Sequence, residues 1–192
     1  MIRNFILAGL LVMTACKSKT KTTDTGEKKS MNTVITTGKD SIVNTDPTNM
    51  GKVDIESFGP LKLGQHYSKT LEAMGQPDSK SKPIEWAADG LFHEDWTWKK
   101  NGVVLNMSSD EKNVDSTLSI FTITATAPSF FKTKAEMGIG SSYAEVETAY
   151  KKDIDPEATD KTQITVGSVY GGIIFSFKND KVNKIFVGAE AE

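Results

Sequence analysis

Apolar residues recur at helical spacing in two places along the chain. Tyr67, Leu71 and Met74 fall three or four residues apart, as do Tyr143, Val146 and Tyr150, and each set would share one face of a short amphipathic helix. The first helix should close at Gly75, with Pro77 just beyond it, which is ordinary stop chemistry. The second should open on Ser142 and Glu145, which stand at capping-box spacing. Each set is followed by strand-like sequence, and two stretches match one another: Gly102-Val-Val-Leu-Asn-Met-Ser-Ser-Asp110 and Gly172-Ile-Ile-Phe-Ser-Phe-Lys-Asn-Asp180. Asn101-Gly102 and Gly171-Gly172 read as tight hairpin turns into these strands. A further strand follows in each half, ending near Ala125 and near Gly188, and both contain Ile-Phe.

The two halves are therefore expected to be copies of one unit. Leu63-Gly-Gln-His-Tyr-Ser-Lys-Thr-Leu-Glu-Ala-Met74 matches Ile139-Gly-Ser-Ser-Tyr-Ala-Glu-Val-Glu-Thr-Ala-Tyr150 in its apolar residue, Gly, two polar residues and Tyr. The expected fold class is α+β, with two tandem units, 53–127 and 128–192, each a short helical segment followed by an antiparallel β-meander.

The N-terminus reads as an address. Arg3 supplies a positive start, and Phe5 to Ala15 is apolar but shorter than the roughly 20 residues that span a bilayer. It ends in Met13-Thr14-Ala15-Cys16, which resembles the lipobox of bacterial lipoproteins, with Met13 at a position more often held by Leu. Residues 1–15 are expected to be a lipoprotein signal peptide, and Cys16, the single cysteine, to carry the lipid. A lone cysteine in an exported chain has no intrachain disulfide partner, and lipidation gives it a role. Multiple acyl chains, which the resemblance implies, would anchor stably where one would not. Lys17 follows the cysteine instead of an inner-membrane Asp, so outer-membrane residence, facing the periplasm or the exterior, is the expectation.

Residues 16–52 are Lys, Thr, Ser, Asn, Asp and Gly with few apolar positions. Such a segment cannot bury enough surface to offset its ordering entropy, and it reads as a disordered tether with a typical reach of roughly 30 to 35 Å. From residue 17 to 52 seven Lys stand against four acidic residues, or +3, while residues 53–192 carry fifteen Lys against twenty-one, or -6. An acidic body argues against nucleic acid as a partner, because phosphate binding needs a concentrated basic face.

Residues 61–78, Leu-Lys-Leu-Gly-Gln-His-Tyr-Ser-Lys-Thr-Leu-Glu-Ala-Met-Gly-Gln-Pro-Asp, resemble the opening of the SmpA/OmlA (BamE) type of small lipoprotein domain, with its Gly, helix and Gly-x-Pro exit. Two such units are similar to the tandem architecture of the β-lactamase inhibitor protein-like group. That resemblance implies one curved sheet with the helices on one side, and a protein-binding or envelope-stabilising role without catalysis. The chain departs from it in lacking body disulfides and in following the second helix with Lys151-Lys-Asp-Ile-Asp155.

Candidate chemistry is sparse. His93-Glu94-Asp95 is the densest polar cluster, but strand alternation sends His93 and Asp95 one way and Glu94 the other, so these read as solvated strand or loop residues. His66 belongs to no ligand spacing, and Asp153, Asp155, Glu157 and Asp160 lack the spacing and glycine of a calcium loop. No catalytic residue, metal site or cofactor is expected. Phe92, Trp96 and Trp98 share one face of a strand, with Trp86 just upstream. They are either core or, with Phe130 in the connection between units, a candidate binding surface of the aromatic kind that anchors interfaces. The expected function is a non-catalytic cell-envelope lipoprotein that binds or scaffolds a protein partner, held to the membrane through Cys16. The alternatives are a binder of a small hydrophobic or sugar ligand, and an envelope enzyme with an unrecognised site.

Overall fold

The computed structural model describes residues 57–112 and 116–189. The expected signal peptide, Cys16, the tether and the first residues of the body lie outside them. Helix α1 (Tyr67–Met74) and helix α2 (Tyr143–Tyr150) form where the periodicity places them. Helix α1 ends on Gly75 at φ 73°, whose N–H bonds the Leu71 carbonyl; only glycine takes that conformation without strain. At the start of α2 the capping box is complete: the Glu145 N–H donates to Ser142 Oγ at 3.3 Å, and the Ser142 N–H donates to Glu145 Oε2 at 2.7 Å.

Among the described residues eight strands make one antiparallel sheet: β1 (Ser79–Lys80), β2 (Ile84–Glu85), β3 (Phe92–Trp98), β4 (Val103–Ser109), β5 (Ser119–Thr126), β6 (Gln163–Ser168), β7 (Gly171–Lys178) and β8 (Lys181–Gly188). Their order is β1-β3-β4-β5-β8-β7-β6, with β2 also pairing β3. The protein is a mixed α+β fold dominated by this sheet. The meander β3-β4-β5 meets β6-β7-β8 through the β5–β8 pair, which runs from Ile123↔Val187 to Thr126↔Lys184.

Two hairpin expectations need correction. The β3–β4 connection is a 3-10 turn, Lys99–Asn101, closed by Gly102 at φ 60°, so Gly102 is required but Asn101-Gly102 is not a two-residue turn. In the other meander the turn is Val169-Tyr170; Gly171 and Gly172 are already strand, paired with Ser168 and Gly167. A Cβ on Gly172 would lie 2.2 Å from the Val166 carbonyl oxygen. Glycine is needed there for close backbone approach, not for turning. The β7–β8 turn rests on Asn179 and Asp180, both at positive φ, which these side chains tolerate well.

Alternation along the paired strands puts the core on one face of the sheet. Trp96, Trp98, Val103, Leu105, Met107, Ile120, Ile123, Ala125, Ile164, Val166, Ile173, Phe175, Val182, Ile185 and Val187 form one buried cluster with Val146 and Tyr150 of α2, and Tyr67, Leu71 and Met74 of α1 pack against it. Phe58, Leu61 and Phe131 close its margin. At about 1.5–3 kcal/mol for each large side chain removed from water, this layer supplies the main driving force for folding. Tyr150 reaches through it to donate its hydroxyl to Thr133 Oγ1 at 2.6 Å. Burial pushes the Tyr150 phenol up, so it remains a donor.

Candidate functional site

The candidate binding surface divides once the faces are known. Trp96 and Trp98 are 1% and 3% exposed and belong to the core; the reading of them as an exposed platform is overturned. The helices cover that face, and the indoles are held on it. Trp96 Nε1 donates to Glu94 Oε1 at 2.6 Å, and Trp98 Nε1 donates to the Gly75 carbonyl at 3.2 Å. Lys80 lays its ammonium 3.5 Å from the Trp96 ring centroid. Phe92 stands in the same alternation opposite Ser109, half-buried. Phe130 alone of the four is exposed, at 70%.

The opposite face carries a different set of side chains. Register aligns Thr97, Val104, Thr124, Phe186, Ile174 and Thr165 in one cross-strand row, and Asp95, Asn106 and Thr122 in the next. Among the described residues neither helix packs on this side. Val104, Thr124 and Phe186 are half-buried in the middle of the row, while Ile174 is buried and Thr165 is covered where its hydroxyl donates to the Ala158 carbonyl. Lys184 brings its ammonium 6.0 Å from the Phe186 ring centroid.

At the β3 end of this face the structure assembles a cluster that sequence alternation does not show. His93 is 2% exposed, so its reading as a solvated residue is corrected. Its ring lies flat against Trp86, centroids 3.7 Å apart and planes 10° from parallel, and meets Phe121 edge-on at 4.8 Å. Trp86 comes from the turn after β2, and Asp89 in the same turn places Oδ2 2.9 Å from His93 Nε2. On the other side, Asn106 Oδ1 lies 2.7 Å from His93 Nδ1, and Asn106 Nδ2 donates to Asp95 Oδ1 at 2.9 Å. A carboxylate, an imidazole, an amide and a second carboxylate thus form one line. The Leu91 backbone N–H, and then the His93 ring, hold the Asp89 carboxyl below its usual range.

This line fastens the 84–91 segment to the sheet. Both His93 nitrogens are engaged and one ring face is covered, so no lone pair of the ring is directed at an incoming ligand. His66 is elsewhere: its Nδ1 accepts from the Ser68 N–H at the start of α1, an N-cap role. The acidic stretch makes turns, with Asp155 Oδ1 accepting from the Glu157 N–H and Asp160 Oδ1 from the Thr162 N–H and hydroxyl. Those bonds, the backbone one foremost, hold Asp160 below the usual carboxylate range. Among the described residues no group of three His, Cys, Asp or Glu side chains converges as a metal site would.

Phe121 escaped the sequence reading because of a bulge. Asn106 pairs with Thr122 but Met107 pairs with Ile120, so Phe121 is the extra residue; strict alternation would have sent it into the core beside Ile123. Trp86 is visible in the sequence, but only the Asp89-Gly90 turn, with Gly90 at φ 72°, folds it back over His93. No family model, curated protein or solved structure matches the chain.

Proposed function

We propose that the protein is a non-catalytic lipoprotein of the cell envelope, anchored through Cys16, that binds a protein or peptide partner on the sheet face opposite its helices. The carrying observation is the composition of that face: half-buried Val104, Thr124 and Phe186, flanked by the Trp86–Phe121 aromatics and by Asp89 and Asp95 at one end and Lys184 at the other. Aromatic contact area with a polar, hydroxyl-rich surround suits protein recognition. Strand addition is disfavoured as the mode. Beyond β3 the edge is taken by β1, β2 and the Ser81–Asp95 bonds, and beyond β6 by the 153–160 segment through Ile154↔Val166.

The order α1, β3-β4-β5, α2, β6-β7-β8 supports a duplicated unit of the SmpA/OmlA (BamE)-like kind as its origin. Outer-membrane residence and an envelope protein as partner belong to the same proposal, and the tether sets how far the body reaches. The test is affinity capture from solubilised envelopes with the full chain, beside Thr124→Lys and Phe186→Asp variants that leave the core side of β5 and β8 intact. A protein retained by wild type and lost by both folded variants supports the reading; one retained equally by all three sinks it.

A further inference from the structure

Phe130 is the exposed aromatic of the connection between the two meanders, and its position is not loose. The next residue, Phe131, is buried and meets Phe58 edge-on at 6.2 Å and Phe130 at 4.7 Å. Gly59 donates its N–H to the Lys132 carbonyl at 2.8 Å, and Phe58 bridges to Thr133. The segment presenting Phe130 is therefore bonded to the first described residues of the body. Ser57, Gly59, Phe130, Lys132, Lys134 and Glu136 line one open depression of about 490 Å³. The chain from Cys16 joins the body at this depression, and Lys132 and Lys134 are exposed on it. Lys132 Nζ lies 3.4 Å from Glu136 Oε2, and an exposed pair of that length is weak enough to yield to a stronger anionic surface.

A large apolar side chain held outward on a stiff support, beside two lysines, has the composition of a membrane-interface contact. The ring enters the headgroup boundary while the ammonium groups stay at the phosphates. Two features of the chain choose a bilayer as the occupant. Residues 17–56 join Cys16 to the depression, so a lipid on Cys16 ties the body to the surface at this point. The body as a whole is acidic, at -6 over residues 53–192, so an anionic surface repels most of it and favours an approach through a local basic site.

We infer that Phe130, with Lys132 and Lys134, seats the base of the body on the lipid surface, leaving the proposed binding face free for its partner. This rests on the Cys16 anchor, and the experiment separates the two. The full chain, expressed with its own N-terminus and purified from envelopes in detergent, is reconstituted in phosphatidylcholine vesicles with and without phosphatidylserine, as wild type and as Phe130→Trp, and flotation is measured beside fluorescence. The expected result, read as the difference between variant and wild type, is that the indole added at position 130 shifts to shorter wavelength and loses emission to brominated acyl chains, more so with phosphatidylserine. Protein that floats but whose added indole is quenched by aqueous iodide and not by brominated lipid overturns the seat and leaves the anchor standing. Protein that does not float overturns the anchor and the seat together.

Discussion

Gly102 and Gly75 offer a matched pair of substitutions whose difference is set by tertiary structure. Both have positive φ, 60° and 73°, so alanine at either position is strained: by about 1–2 kcal/mol in the left-handed region that Gly102 occupies at ψ 36° and by about 1–3 kcal/mol in the extended region that Gly75 occupies at ψ -168°, partly offset by about 0.4–1 kcal/mol from the stiffer unfolded chain. Around Gly75 nothing lies within 4 Å of an added Cβ, so the net cost of Gly75→Ala is backbone strain alone, about 1–2 kcal/mol. At Gly102 the Cβ would stand 2.2 Å from the Thr126 carbonyl oxygen, 2.8 Å from the Ser129 nitrogen and 2.9 Å from the Pro128 nitrogen. These are backbone atoms and cannot rotate away. Relief requires moving the end of β5 off the β3–β4 turn, which breaks the Thr126 N–H bond to the Gly102 carbonyl at 2.9 Å. A lost bond costs about 1 kcal/mol and overpacking a further 1–3 kcal/mol or so, so with the net backbone strain Gly102→Ala should lose about 2–5.5 kcal/mol in all. Urea unfolding of the Cys16→Ser chain, followed by tryptophan emission, reads this as a fall in midpoint of about 1–3 M, with a smaller fall for Gly75→Ala. Equal midpoints for the two variants would refute the argument, because strain at positive φ would then account for both.

Trp98→Ala should cost about 3–5 kcal/mol by emptying a filled core position, whereas Phe130→Ser should leave the stability within about 0.5 kcal/mol of wild type; thermal melts of the two variants check the division into core and surface. Glu145 is held below the usual carboxylate range by the Ser142 backbone N–H and then its hydroxyl, so its contribution is present above the unfolded glutamate range and is lost as pH falls through its folded value. Glu145→Gln should therefore lower stability near neutrality and flatten its decline in acid, and parallel pH–melting curves for the two proteins would contradict this. Cys16→Ser should release the protein from membranes into the soluble fraction on cell fractionation, and unchanged sedimentation with membranes would remove the lipid-anchor proposal.

The sequence by itself determined the local elements, because their causes are local. Tyr67 to Met74 and Tyr143 to Tyr150 are helices through side-chain spacing, Gly75 and the Ser142–Glu145 box; the strands ending in Trp98, Ser109 and Gly188 follow from alternation. Alternation also separated His93 and Asp95 from Glu94 correctly. What it could not label was which side of the sheet the helices would cover, since period two is the same on either side. Only the docking of α1 and α2 decided that Trp96 and Trp98 are interior and that Val104, Thr124 and Phe186 are not. The His93 cluster lay equally beyond reach. It needs a bulge that turns Phe121 over, a turn that brings Trp86 and Asp89 back onto β3, and the β3–β4 register that sets Asn106 against Asp95, and each of these is a contact between residues that the chain itself does not place side by side.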